Sequence, residues 1–265
     1  MTAFNPSLVR KYIDTRIEPE IVQRAYQLCY LGCARIGEII SRKCPSDKTA
    51  HPTGSRLTWK TDTYRVNMQS KPEYESALFA LLTNNRKMPS IEEILAIDEP
   101  VVIFTLETEK RKGGWTRDIA LPLNPKYEPW AQPLLEFAEK HKGEELFPFY
   151  RQQLYPVAKK AFDGLTMEIK PYERAVKNPE TKEYVYITDA NGKKSIQTYT
   201  VKAHTRTFTQ HDLRKTRRTE LEDILGLNAE ERKRIGGWSR GIEERYDAST
   251  SEWRKSFPKL LRSVV

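Results

Sequence analysis

The amino-acid sequence predicts an α+β fold that is mostly helical and carries a small antiparallel sheet. Apolar residues recur at helical spacing over 19–43. The β-branched run 101–108 is followed by a second short run, 119–121, and Gly113-Gly114 between them has the spacing of a hairpin turn. These observations indicate helices packed on a hairpin rather than an all-β or all-α chain.

The first half of the chain is predicted to be mainly helical. Its predicted elements are a helix over 7–13 capped by Ser7, a helix over 19–43 interrupted near Gly32, short strands at 57–59 and 64–66, a helix over 74–83, and a helix that begins near 89. Ser90 and Glu93 have the spacing of a capping box, in which each side chain binds the other residue's backbone N–H.

The second half continues the same pattern. Its predicted elements are helices over 129–141, 150–162 and 210–225, an exposed Tyr-rich hairpin over 184–200 about Asn191-Gly192, a helix opened by a capping-box pattern at 228–231, and a terminal amphipathic helix over 251–265. Neither a repeat nor a break in composition requires a second domain, so we expect a single domain over 1–265.

Composition limits the classes of protein. A net charge of +9 and a pI near 9.3 favour a polyanionic partner, although a merely basic protein would have the same charge. No apolar run approaches the ~20 residues of a membrane span. Cys29, Cys33 and Cys44 show no paired spacing and indicate reduced thiols in a cytoplasmic compartment.

Candidate catalytic residues lie at both ends of the chain. His211 and Arg214 are three apart and would share a helix face. Arg35 and Glu38 have the same spacing, so the carboxylate could hold the guanidinium from behind. Tyr246 follows a probable helix break at Gly241 and could be exposed. Each residue alone also has an ordinary structural interpretation, as a surface ion pair or a packing residue.

Together these groups could attack a phosphodiester without a metal. Tyr246 is the candidate nucleophile, although a phenol of pKa about 10 must first lose its proton. Arg35 and Arg214 could clamp non-bridging oxygens, and His211 could move the proton. Trp238 can only donate a hydrogen bond. No spacing of histidines with cysteines or acids fits a metal site.

The segment next to Gly113-Gly114 adds further cations. Lys112, on a hairpin that could flex into place, suits the general acid that protonates the leaving 5′ oxygen. Lys110 projects from the same face and Arg111 from the other, so both could contact DNA. Lys215 and Arg217, on the helix of His211, are further candidate DNA contacts.

The ordered set Arg35, Lys112, His211, Arg214, Trp238 and Tyr246 resembles the active site of the tyrosine recombinases, the phage-integrase family. Segment 31–39 resembles the first arginine box of that family, and 211–214 its His-x-x-Arg box. Segment 235–239 carries Trp238 where most members have histidine, and 244–246 resembles the nucleophile segment. Lys215 stands where a second histidine is common, and the spacing from Trp238 to Tyr246 is one residue shorter than usual.

The resemblance implies a recombinase catalytic domain that cleaves and rejoins DNA through a 3′-phosphotyrosyl link, without metal, ATP or other cofactor. Compared with the family, the chain has insertions at about 44–100 and 170–203 and no room for the usual N-terminal core-binding domain. The family acts as a tetramer on two DNA duplexes. We therefore expect the terminal amphipathic helix to dock on a neighbouring protomer, and the protein to be nucleoid-associated in a prokaryotic, archaeal or viral setting.

Two alternatives remain open from the sequence. A type IB topoisomerase or a telomere resolvase uses nearly the same residues but rejoins the strands differently. A non-catalytic DNA-binding protein would bind DNA without forming a covalent link.

Overall fold

The computed structural model describes residues 3–45, 52–85, 87–108, 116–188, 190–236 and 253–262. The chain divides into a larger compact unit, Ala3–Phe162 with Thr209–Val265, and a smaller one, Asp163–Phe208. Helices and small antiparallel sheets make up the described residues, which confirms the α+β class. The insertion expected at about 170–203 falls inside the smaller unit, whereas 44–100 supplies a strand and two helices to the larger one.

The larger unit begins with three helices, α1 (Pro6–Arg16), α2 (Glu20–Leu31) and α3 (Ile36–Ile39). Asn5, not Ser7, caps α1, because Pro6 takes the first helical position and Asn5 Oδ1 accepts from the backbone N–H of Leu8 at 3.1 Å. The predicted break falls at Gly32. A Cβ there would lie 2.3 Å from Cδ1 of Ile119, so a side chain at this position would force the Ile119 side chain to shift.

Three antiparallel strands form the sheet of this unit in the order β1-β2-β3: β1 (Thr58–Arg65), β2 (Asp98–Glu107) and β3 (Thr116–Pro122). The predicted pairing of 101–108 with 119–121 is confirmed, with Ile103 opposite Ala120. The two short strands predicted at 57–59 and 64–66 are one strand. Its polar middle is tolerated because β1 is an edge strand with mostly exposed side chains.

Two helices lie between β1 and β2 in the chain, α4 (Lys71–Asn85) and α5 (Ile91–Leu95), and two follow β3, α6 (Ala131–Lys140) and α7 (Arg151–Ala161). The capping box at the start of α5 is confirmed. The Ser90 backbone N–H donates to Glu93 Oε2 at 2.8 Å, and the Glu93 N–H donates to Ser90 Oγ at 3.1 Å.

The C-terminal part of the larger unit comprises α8 (Gln210–Thr219), which continues into a π-helical turn (Glu220–Ile224), then α9 (Ala229–Gly236), α10 (Trp253–Ser256) and a 3-10 turn (Phe257–Leu260). The capping box predicted at 228–231 is confirmed, since Asn228 and Glu231 exchange hydrogen bonds of 2.7 and 3.0 Å.

The apolar side of the terminal segment is covered by its own chain. Phe257 is fully buried, with its ring 4.9 Å from that of Tyr64 and 5.3 Å from that of Trp253. Leu260 and Leu261 are buried in the same cluster. The expectation that these side chains dock on a neighbouring protomer is therefore wrong, because the core of the larger unit already uses them.

The smaller unit is built from short antiparallel strand pairs. They are β4 (Thr166–Ile169) with β9 (His204–Thr207), β5 (Tyr172–Ala175) with β8 (Thr198–Val201), and β6 (Tyr186–Thr188) with β7 (Lys194–Ile196). The hairpin predicted over 184–200 is present only from Tyr186 to Ile196, with a positive φ at Gly192 in its turn. Its predicted ends pair elsewhere, since Thr198–Val201 pairs with β5 and Tyr184 with Lys177.

Within the described ranges, no helix is both long and apolar enough to cross a membrane.

Cys29 and Cys33 are buried free thiols, and burial raises the pKa of Cys29 to about 12 and also raises the pKa of Cys33. Both therefore remain protonated packing residues.

Candidate active site

Arg35 and Glu38 form the ion pair that their spacing predicts, although Arg35 lies outside the helix rather than within it. Arg35 lies in extended conformation just before α3, so its N–H is free to donate to Glu38 Oε2 at 3.2 Å while its Nη1 donates to Glu38 Oε1 at 3.0 Å. The side chain of Arg35 is 31% exposed, whereas that of Glu38 is 0% exposed. The carboxylate thus holds the guanidinium from behind and leaves part of it facing solvent.

Arg117, at the start of β3, is a site residue that sequence reasoning missed. Its Nη2 donates to Glu38 Oε2 at 2.9 Å, and its Nη1 donates to the carbonyls of Gly32, at 2.6 Å, and Ile235. A signal existed, because 117, 119 and 121 alternate onto one face of β3 and Ile119 is buried. An arginine on such a face needs a buried carboxylate partner.

The first turn of α8 carries His211 and Arg214 and is fixed by a buried acid. Asp212 Oδ2 accepts from the Thr209 backbone N–H at 2.8 Å and from the Thr209 hydroxyl at 2.7 Å. His211 is exposed, whereas Arg214 is buried and donates from Nη2 to the Gly236 carbonyl at 3.0 Å.

Arg117 and Arg214 therefore hold two successive carbonyls, those of Ile235 and Gly236, at the end of α9. The last carbonyls of a helix have no partner within it and carry partial negative charge, so cations are favoured there. This arrangement joins the first arginine box, β3, α8 and the segment that leads toward Trp238.

The positive charges of the site repel one another. Burial, with the charges of Arg117 and Arg35, lowers the pKa of Arg214 to about 10 against the opposing effect of Glu38. Partial burial lowers the pKa of His211, and Lys215, Arg214 and Arg35 add to the shift. Arg35, His211 and Arg214 are thus close enough to act on each other electrostatically.

Glu38 is the carboxylate at the centre of this cluster. Burial alone would raise its pKa, but the charge and hydrogen bond of Arg117, with the Arg35 backbone bond, lower it below the ordinary value. Three arginines face this single buried carboxylate, so the cluster keeps an excess positive charge. Such a cluster favours binding of an anion such as a phosphate.

Lys215 and Arg217 differ in their surroundings. Lys215 is partly exposed, with Nζ 3.8 Å from Asp212 Oδ1. Arg217 is only 2% exposed and pairs with Glu220, so the expectation that it contacts DNA is wrong. It faces the interior because it lies one helical turn after Leu213 and Arg214 on the same buried face of α8.

Arg217 belongs to a buried ionic network beneath the site. Arg10 donates to both carboxylate oxygens of Glu128 at 2.9 Å and to Glu220 at 2.7 Å. Burial opposes charge on Arg10, but Glu128 and Glu220 outweigh it and raise its pKa. This network ties α1 to the end of α8 and so supports the helix that carries His211 and Arg214.

The other candidates, Lys110, Arg111, Lys112, Trp238 and Tyr246, lie outside the described residues. Among the residues that are described, no group of three or more His, Cys, Asp or Glu side chains could hold a metal ion.

The scan against protein-family models and the searches of curated proteins and of solved structures found no match for this chain.

Proposed function

We propose that this chain is a tyrosine recombinase-like enzyme that cleaves and rejoins DNA strands through a covalent 3′-phosphotyrosyl link. The observation that carries the proposal is that arginines distant in sequence meet at one place: Arg35 and Arg117 both bind the buried carboxylate of Glu38. Arg117 and Arg214 bind the successive carbonyls of Ile235 and Gly236, and Arg214 lies on the helix that carries His211. Two arginines and a histidine with excess positive charge are the groups that metal-free phosphoryl transfer needs.

In this proposal each described residue has a role set by its surroundings. Arg35, held by Glu38 and partly exposed, presents its remaining donors to a phosphate. Arg214, whose Nη2 donates to the Gly236 carbonyl, supplies the second guanidinium. His211, whose lowered pKa keeps the ring neutral near pH 7, accepts the proton of the nucleophile.

Tyr246 is the proposed nucleophile, and its attack on phosphorus breaks the bond to the 5′ oxygen. Lys112 is the proposed general acid for that leaving oxygen, and Trp238 donates to the phosphate. The 5′-hydroxyl of a partner strand then attacks the phosphotyrosyl bond and releases Tyr246, so the bond energy is retained without ATP. The proposed partner is double-stranded DNA, bound by a tetramer that holds two duplexes.

A nicked suicide duplex tests the proposal. Its nick lies three nucleotides 3′ of the cleavage point, so cleavage releases a trinucleotide that diffuses away. The covalent complex then cannot reverse and migrates as a protein–DNA band on a denaturing gel. We expect this band with the wild-type chain in EDTA and its loss with Tyr246→Phe. DNA binding without any covalent band, in a library of candidate sites, would instead identify a non-catalytic DNA-binding protein.

The same preparation separates the related enzyme classes by their products. Strand exchange between two site-bearing duplexes is the expected product of a recombinase. Relaxation of a supercoiled plasmid without exchange would assign the chemistry to a topoisomerase-like enzyme, and closed hairpin ends would assign it to a telomere resolvase.

A further inference from the structure

The smaller unit, Asp163–Phe208, exposes most of the side chains on both faces of its strands. All residues of β6 and β7 are exposed, and β5 and β8 each have three exposed residues followed by a half-buried one. A two-stranded ribbon without a buried apolar face is marginally stable in water. Its exposed faces are therefore available to a partner.

One face of the ribbon combines aromatic and basic side chains. Arg174 on β5 lies directly opposite Tyr199 on β8, and Tyr172 precedes Arg174 by two residues on the same face. The two tyrosines are 45% and 48% exposed. Cross-strand partners have Cβ atoms about 5 Å apart, so the guanidinium and the phenols form one continuous surface.

The part of the unit nearer its tip repeats this combination. Lys177, beyond the end of β5, pairs with Tyr184, and its Nζ is 4.7 Å from the centroid of the Tyr184 ring. Tyr186 and Thr188 follow on β6, and Lys194 on β7 is the cross-strand partner of Thr188.

The acids on these strands are engaged by neighbouring side chains. Glu168 accepts a hydrogen bond from the Thr205 hydroxyl at 2.7 Å, and Glu173 accepts one from the Thr200 hydroxyl. Glu173 projects away from the face of Tyr172 and Arg174, since it lies between them in the strand. On the face of Tyr172 and Tyr199 the cross-strand charged neighbour is therefore the cation Arg174.

We propose that the unit Asp163–Phe208 is a DNA-binding ribbon that enters the major groove of duplex DNA, with the exposed side chains of Arg174, Lys177 and Lys194 reaching phosphates along the groove. The major groove, about 12 Å wide, admits a two-stranded β-ribbon. Arginine, lysine and tyrosine side chains are common phosphate ligands. This inference rests on the proposed function only in taking duplex DNA as the partner.

The test compares two charge-matched triple variants, both carrying Tyr246→Phe so that covalent chemistry does not intervene. The ribbon variant combines Arg174→Gln, Lys177→Gln and Lys194→Gln. The control variant combines Arg65→Gln, Lys71→Gln and Lys142→Gln, whose side chains are 73%, 86% and 74% exposed in the larger unit. Thermal melting checks that both variants keep the parent stability.

The Kd for a random 30-base-pair duplex is measured between 50 and 200 mM salt. Each phosphate contact contributes about 0.9 to the slope of log Kd against log salt, so the ribbon variant should lose about 2–3 from that slope and bind at least tenfold more weakly at 150 mM. The control should keep the parent slope. Equal slopes for the two variants would overturn the inference, as would an equal loss of affinity for single-stranded DNA of the same length.

The outcomes separate this inference from the proposed chemistry. A weakened duplex Kd in the ribbon variant, with no covalent band from the wild-type chain, would support the ribbon and refute the enzyme. A covalent band from the wild-type chain, with an unchanged duplex Kd in the ribbon variant, would do the reverse.

Discussion

Replacing Glu38 with Gln removes one negative charge from the centre of the candidate site while keeping the side-chain shape. Glu38 is fully buried and accepts hydrogen bonds from the Arg35 backbone, from Arg35 Nη1 and from Arg117 Nη2. In Glu38→Gln the buried guanidinium of Arg117 loses its counterion, and Arg214 loses a negative charge that offsets its repulsion by Arg117 and Arg35.

Removing one partner of a buried ion pair costs about 3–5 kcal/mol. Arg35 is about one-third exposed, so water screens its share, and the loss comes mainly from Arg117. We therefore expect a loss near the lower end, about 3 kcal/mol, which lowers the Tm of a unit of this size by roughly 6–12 °C.

The loss should depend on pH in a defined direction. The folded-state pKa of Glu38 lies below its ordinary value of 4.5, so its contribution is fully present above about pH 4.5 and disappears as the pH falls through the lower folded value. The difference between the wild type and Glu38→Gln should be constant from pH 5.5 to 8 and should shrink below pH 4.5.

Thermal and urea unfolding across this pH range provide the assay. Glu145→Gln, in a half-exposed pair with Arg42, is the matched control and should leave the Tm within error. In a double-mutant cycle, Arg117→Met should cost less in the Glu38→Gln background than in the wild type. Additive losses, or a Glu38→Gln protein as stable as the wild type, would refute the account of the buried cluster.

Four further outcomes are expected. Arg214→Lys should slow strand cleavage about 10²–10³-fold in single-turnover assays. The cleavage rate should fall as the pH drops through the pKa of His211, which lies below its ordinary value of 6.5, because the ring is then protonated; His211→Ala should lack this dependence. Phe257→Ala should cost about 3–5 kcal/mol in urea unfolding yet leave the sedimentation mass unchanged. Gly54→Ala should be strongly destabilised, because its Cβ would lie 2.1 Å from the Ile39 carbonyl oxygen.

Local spacing predicted the features that depend on neighbours in sequence. The Arg35–Glu38 pair and the Ser90–Glu93 capping box each join residues three apart, so a single turn of chain decides them. Asn5 rather than Ser7 caps α1 because of Pro6: proline favours the first position of a helix, which makes the residue before it the cap.

Features decided by distant parts of the chain could not be predicted in this way. Arg117 is separated from Glu38 by 79 residues, and only the tertiary fold brings them together. Arg217 has the charge of a surface residue, but the ionic network with Arg10 places it inside. The amphipathic pattern of the terminal segment predicted an apolar side, and the fold decided that Tyr64 of the same chain covers it.

The most direct test of the central claim is peptide mapping of the complex trapped on the suicide duplex. After nuclease and protease digestion, mass spectrometry should find a nucleotide joined through its 3′ phosphate to the peptide that contains Tyr246, in the wild type but not in Tyr246→Phe. A nucleotide on any other residue, a link through a 5′ phosphate, or no adduct at all would contradict the account.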